Sequence, residues 1–442
     1  MKKTFMLSLL LAMALVASAQ RTAREEIASN PFLCGSNHLD YDRSNTFSSP
    51  LSGQLSKPLT PAPKGYEPFF MNHYGRHGSR WLLSDGEYSR SIKILKRAAE
   101  QDKLSSLGRE TLAKLEVFYP CTIKRLGDLT TVGERQHHGI GRRMAEHFPE
   151  IFLKKGVGIT AYSTVVIRCI LSMEAECEEL AAANPTARFH NDVSELFQSY
   201  LNAPWPQSVR DAHKGQGDLG QQYRKKYTHP DRLMSSLFND PDWVRDSIDS
   251  HAFMRQLFYI ANNMQSHDVD IDLLSLFTTE ELYDLWRIKN VDWYLSYGHA
   301  PQTKGLMPFS QAELLKNLIA TADTISQSQA VLRFGHEVCV MPLACLLELG
   351  SCGARVENLD ELDSVWRNYD IFPMACNIQF IYYRPKKSKG PVNMTDPDAD
   401  ILVKALLNER EVTLPVPTNQ HPYYRWADLR AYYLKKLANA GF

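Results

Sequence analysis

The sequence predicts an α/β fold, with a mostly parallel central sheet flanked by helices and a mainly helical inserted domain. Three observations carry this. An apolar stretch of strand length, 68–74, ends in Gly75 and a cluster of polar residues. A second one, 331–334, ends in Gly335, a histidine and a carboxylate, and an apolar helix follows at once. Between them, residues 190–325 show helix-start signals and many aromatics but no strand–helix alternation.

The chain opens with Met1, Lys2 and Lys3, an apolar run over 5–16, and then Ala17, Ser18 and Ala19. This is the layout of a secretory signal peptide over 1–19, too short to anchor in a bilayer. No later run is long enough for a membrane helix, so the mature chain is expected to be exported, to the periplasm or the cell exterior. Residues 20–66 are rich in Ser, Pro, Asn and Gly and read as an irregular arm. The α/β core is assigned to 67–189 and 326–442, and the helical insertion to 190–325.

Within the core, Ser84 as N-cap with Glu87 three residues on predicts a helix toward residue 102, one face packed on the sheet. A turn over 126–136 is predicted to enter a second helix running to about residue 148, followed by a short strand over 156–162 and a helix through Leu180. In the insertion, Asp240–Pro241 gives an N-cap with proline at N1. Thr278 with Glu281 and Ser310 with Glu313 read as capping boxes. Strands at 374–385 and 401–407, a sheet-closing stretch at 406–412 and a tail helix over 425–437 complete the chain.

Lysine plus arginine equals aspartate plus glutamate, 50 against 50. There is thus no global basic field for nucleic acid, and a polyanionic ligand needs a local basic pocket. Eight cysteines (Cys34, Cys121, Cys169, Cys177, Cys339, Cys345, Cys352, Cys376) permit disulfides in an exported chain without fixing a pairing. None has Cys-x-x-Cys or zinc-ligand spacing.

The richest stretch is the end of the first strand. Arg76 and Arg80 bracket His77 and Gly78 within five residues. In an open α/β sheet, ligands sit beyond the carboxyl ends of the strands, which aims these groups into one crevice. Arginine holds phosphate oxygens in a bidentate fork, and a histidine between two such forks is placed to attack phosphorus. Arg168, near a helix start, is a further phosphate ligand candidate. His336 and Glu337, at the second strand end, repeat the arrangement and supply an acid. Arg224, Lys225 and Lys226 form a compact basic cluster, a candidate substrate rim.

In this order, Arg76-His77-Gly78-Ser79-Arg80, Arg168 and His336-Glu337 resemble the histidine phosphatase superfamily, in its acid-phosphatase and phytase branch. Leu129, Thr130, Gly133 and Gln136 resemble another recurrent stretch of that branch. The region 163–172 and Leu407-Asn408-Glu409 look closest to multiple inositol polyphosphate phosphatases, including secreted bacterial ones. The sequence departs from the pattern at Leu82, where the branch usually has proline, and in the direct adjacency of His336 and Glu337.

The resemblance implies a phosphoglycerate-mutase-like core and hydrolysis of inositol phosphates, phytate included, through a phosphohistidine on His77. Arg76, Arg80, Arg168 and His336 would hold the phosphoryl oxygens, and Glu337 would protonate the leaving group. No cofactor and no metal is implied. The expected partner is a small phosphorylated substrate, and the oligomeric state stays open. A broad acid phosphatase for sugar or nucleotide monophosphates and a non-catalytic polyanion-binding protein are the alternatives.

Overall fold

The computed structural model describes residues 21–46, 58–325, 329–388 and 392–442, so the expected leader over 1–19 lies outside the described residues. Its centre is a mixed sheet of eight strands: β1 Tyr66–Arg76, β2 Gly158–Ser163, β3 Arg188–Val193, β4 Ala330–Gly335, β5 Asn377–Pro385, β6 Leu402–Leu407, β7 Arg410–Glu411 and β8 Tyr424–Arg425. The order is β3-β2-β4-β1-β5-β6-β7, with β8 against β6. Pairs among β3, β2, β4 and β1 are parallel, while β5 onward pairs antiparallel. The sheet is therefore α/β as expected, but parallel only in the half that carries the site.

Register does the positioning. Gly75 lies opposite Phe334 and Arg76 opposite Gly335 on the parallel β1–β4 pair. His77 and His336, each the next residue, leave the sheet side by side. Gly335 makes this possible, because a Cβ there would sit 2.0 Å from the Tyr74 hydroxyl oxygen.

Two apolar layers cover the two faces of the sheet. One joins Phe70, Val331 and Val403 to the helices Ala312–Asp323, Glu337–Leu346 and Trp426–Asn439. The other joins Met71, Leu332 and Phe334 to Thr131–His147 and Ile167–Ala183. A third apolar core lies in a helical lobe built from Asp85–Glu100, Ser106–Phe118, Ser250–Asn263 and the first part of Thr279–Tyr297. Among the described residues, no helix is long and apolar enough to cross a membrane.

Several expectations change. Residues 23–46 of the expected irregular arm are helical: Ala23–Ser29, the 3-10 segment Pro31–His38, and Tyr41–Thr46. Thr22 accepts from Glu25 N–H (3.2 Å) and Glu25 reaches back to Thr22 N–H (2.8 Å), so a capping box starts this segment. Ile27, Leu33, Cys34 and Leu39 are buried in the helical lobe. The helix Asp85–Glu100 starts where predicted, with Glu87 holding Ser84 N–H at 2.9 Å. It packs in the helical lobe, though, and not on the sheet.

The proposed 189/190 boundary falls inside β3, and the helices of 190–325 divide between two cores. Leu201, Val209 and Leu315 join the sheet-side layer, while Leu233, Phe253 and Leu282 join the lobe. The Thr278 capping box forms. Ser310 caps nothing, because the chain enters Ala312–Asp323 through a 3-10 turn, Met307–Gln311. All eight cysteines are free thiols, seven of them buried.

Candidate active site

Beyond the carboxyl ends of β1 and β4, His77 is fully buried and its Nδ1 lies 2.8 Å from the carbonyl oxygen of Gly78. A carbonyl only accepts, so Nδ1 carries the proton and Nε2 keeps its lone pair. Within the described residues Nε2 has no hydrogen-bond partner. Burial above all, with Arg76 and Arg168, outweighs Glu337 and holds the imidazole well below its ordinary pKa. His77 is thus a neutral imidazole among cations, with a lone pair that could serve as a nucleophile.

The turn is held through its backbone. Gly78 N–H donates to Ser172 Oγ at 3.1 Å and Ser79 N–H to Gln136 Oε1 at 2.8 Å. Gln136 in turn donates to Asp40 at 2.6 Å. Gly133, on the Thr131–His147 helix, meets the turn directly. A Cβ on Gly78 would lie 2.4 Å from Gly133 O, and one on Gly133 would lie 2.3 Å from Ser79 O. This explains why Thr130, Gly133 and Gln136 accompany the arginine–histidine motif in sequence. Behind the turn, His137 bonds the Arg76 carbonyl through Nε2 (3.1 Å) and Glu176 through Nδ1 (3.0 Å), a fully buried pair.

Three arginines converge. Arg76 donates to the carbonyls of Phe372 (3.0 Å) and Asn37 (2.8 Å), leaving Nε facing the site. Arg80 is fixed by the Trp81 carbonyl at 3.0 Å, and its Nε has no partner within the described residues. Arg168, second in its helix, touches the Gly127 carbonyl at 3.3 Å and its field reaches His77 and His336. His336 sits 3.3 Å from Thr164 Oγ1, its ring centroid 5.6 Å from that of His77. Burial pulls its pKa to about 4.

Glu337 occupies the centre. Its carboxylate lies 3.3 Å from Arg76 Nε, 3.5 Å from His77 Nε2 and 4.0 Å from Arg80 Nη2. These contacts are looser than charge-assisted hydrogen bonds, which run about 2.7–2.9 Å. Burial works to raise its pKa, but Arg76, His77 and Arg80 prevail and hold it well below the usual carboxylate range. In this structure the carboxylate stands where an oxyanion would fit.

Donor atoms of His77, His336 and Glu337 all lie within 4.8 Å of one another, close enough to share a cation. The surrounding guanidiniums oppose one. The six core candidates thus come together, while the basic cluster separates. Arg224 pairs with Asp292 at 2.8 Å and lines a cavity of about 530 Å³, whereas Lys226 pairs with Asp360 at 2.7 Å outside it and Lys225 is exposed. Arg90, Arg255 and Lys289 also line that cavity, as does Tyr259. The Tyr259 ring packs 4.7 Å from His38, next to Asn37, whose carbonyl holds Arg76. Cavity and site therefore share a wall.

Sequence reasoning missed Asn37, His38, Tyr259, Arg90, Arg255 and Lys289. They stand singly in distant segments, and only the Thr22–Glu25 capping box pointed to an ordered arm.

No family model matches the sequence, and no curated protein matches it significantly. Solved structures do. The multiple inositol polyphosphate phosphatase of Bifidobacterium longum, in complex with inositol hexasulfate, is 19% identical, with 90% of this chain and 97% of that chain covered and a TM-score of 0.64. The phytase of D. castellii is 13% identical over 92% and 85%, with a TM-score of 0.69. The Hafnia alvei phytase in complex with myo-inositol hexakis sulphate is 13% identical over 84% and 98%, with a TM-score of 0.51. The chain has the fold of these phosphatases.

Proposed function

We propose that this chain is an exported histidine-type phosphomonoesterase that hydrolyses inositol polyphosphates, phytate among them, through a phosphohistidine on His77. One observation carries the reading: a buried, neutral imidazole whose free Nε2 faces three guanidiniums and a carboxylate in one crevice. The shared fold supports it.

Substrate phosphate would displace the Glu337 carboxylate from among the arginines. Its oxygens would then take the closer bonds that Arg76, Arg80 and Arg168 leave unmade, with His336 as a further donor. His77 Nε2 attacks phosphorus, the ester P–O bond breaks, and protonated Glu337 gives its proton to the leaving alkoxide. The anionic phosphoryl group beside Glu337 raises its proton affinity, against the arginines that lower it. In the second step Glu337 takes a proton from water, the hydroxide attacks phosphorus, and the N–P bond breaks.

Preference for a polyphosphate rests on the neighbouring cavity. Arg90, Arg224, Arg255 and Lys289 face only Glu87 and Asp292 there, and Glu87 is engaged in capping Ser84. That excess of positive charge suits the phosphates not being cleaved.

The test is phosphate release from phytate by the mature chain in EDTA, compared with glucose-1-phosphate. Preferential turnover of phytate is expected. Equal turnover would favour a broad acid phosphatase, and none on either substrate or on an aryl phosphate would remove the enzymatic reading.

A further inference from the structure

On the sheet face that carries Phe70 and Val331, Arg333 of β4 is 1% exposed. Its guanidinium bonds only neutral acceptors: Asn317 Oδ1 (2.9 Å), Asn72 Oδ1 (2.6 Å), the His73 carbonyl (3.4 Å) and Thr321 Oγ1 (2.7 Å). Four of its five N–H groups are thereby used, and the last, on Nη2, has no acceptor within the described residues. No carboxylate pairs with it there, and the nearby Asp323 is taken by Arg430 at 2.7 Å. A buried charge left without a counterion is costly, and hydrogen bonds to amides and hydroxyls do not neutralise it.

Arg333 opens on a cavity of about 270 Å³ that it lines with Thr160, Tyr162, Tyr200 and Thr324. No acidic residue lines it. Nor do the Tyr162 and Tyr200 hydroxyls have a hydrogen-bond partner within the described residues. We infer that this cavity is a second anion site, taking a small oxyanion of the phosphate class between the remaining Nη2–H of Arg333 and the two tyrosine hydroxyls.

The site is separate from the catalytic one yet mechanically close to it. Arg333 lies three residues before His336, and it bonds Asn72 and His73 on the strand that ends at His77. An occupant would pull on both site strands at once.

Equilibrium dialysis of labelled inorganic phosphate against the mature chain tests this. Two phosphates per chain are expected, one of them lost in Arg333→Met. Because Arg333 also braces β4 to β1, Tyr162→Phe/Tyr200→Phe provides the second arm. It keeps the brace and the ring packing, and should weaken one site by about tenfold or more, as loss of hydrogen bonds to a charged ligand does. Unchanged stoichiometry and affinity in both variants would overturn the inference. A single phosphate lost in Arg333→Met but kept in Arg80→Met would support this site while failing the phosphatase reading.

Discussion

In the proposed reaction His77 presents a lone pair while surrounded by groups that bind anions, and the Gly78 carbonyl allows this by holding the proton on Nδ1. Burial keeps the ring neutral under acidic conditions, so acidification spares the nucleophile. The loss of activity as pH rises then falls to Glu337 as it gives up its proton. Because the bound phosphoryl group raises the proton affinity of Glu337, we expect kcat for phytate to decline from acidic toward neutral pH, and this decline to vanish in Glu337→Gln. A pH profile unaltered by the substitution would take Glu337 out of the acid role. His77→Ala should lower turnover by roughly 10⁴-fold or more while phosphate still binds, since the three arginines remain. The buried His137–Glu176 pair acts from behind. Glu176→Ala strands an imidazole away from water and should cost about 3 kcal/mol in urea unfolding, against about 1 kcal/mol for Glu176→Gln, which keeps an acceptor.

Helix and turn meet without side chains at Gly78 and Gly133, so the turn that carries His77 is indexed to the start of the Thr131–His147 helix. Gly133→Ala must shift one against the other. A stability loss of about 1–3 kcal/mol is expected from overpacking, with a fall in kcat larger than any change in phosphate affinity. Site elements were legible in sequence where chemistry and local pattern coincide. Arg76, His77, Arg80, His336 and Glu337 all lie within five residues of a strand's glycine, and their convergence needed only a parallel register. The Thr278 box was readable because both halves of the cap sit three residues apart. The sheet's antiparallel half was not, because β5 and β6 carry no signal of pairing direction. Nor were Lys289 or Tyr259, single residues on helices whose faces are defined only by tertiary packing. The arm was read as irregular from its prolines and serines, and the Thr22–Glu25 pattern at its start went unnoticed.

On the scale of the whole molecule, all eight cysteines are unpaired thiols. Adding a thiol reductant should leave Tm unchanged, and a drop would reveal a cross-link. The arm is part of the machine, since Asn37 fixes Arg76 and Tyr369 and Arg367 grip Glu26 at 2.6 and 3.0 Å. Removing residues 21–40 should therefore abolish activity before the sheet unfolds, as circular dichroism alongside an assay would register. The helical lobe draws on three separate stretches of chain: the arm, the segment after β1, and the middle of the sequence. A cap stitched down along three seams does not swing like a jaw on one pivot. We therefore expect the mouth to keep a fixed aperture, with solvent viscosity slowing only the arrival and departure of small molecules and leaving the chemistry between them untouched.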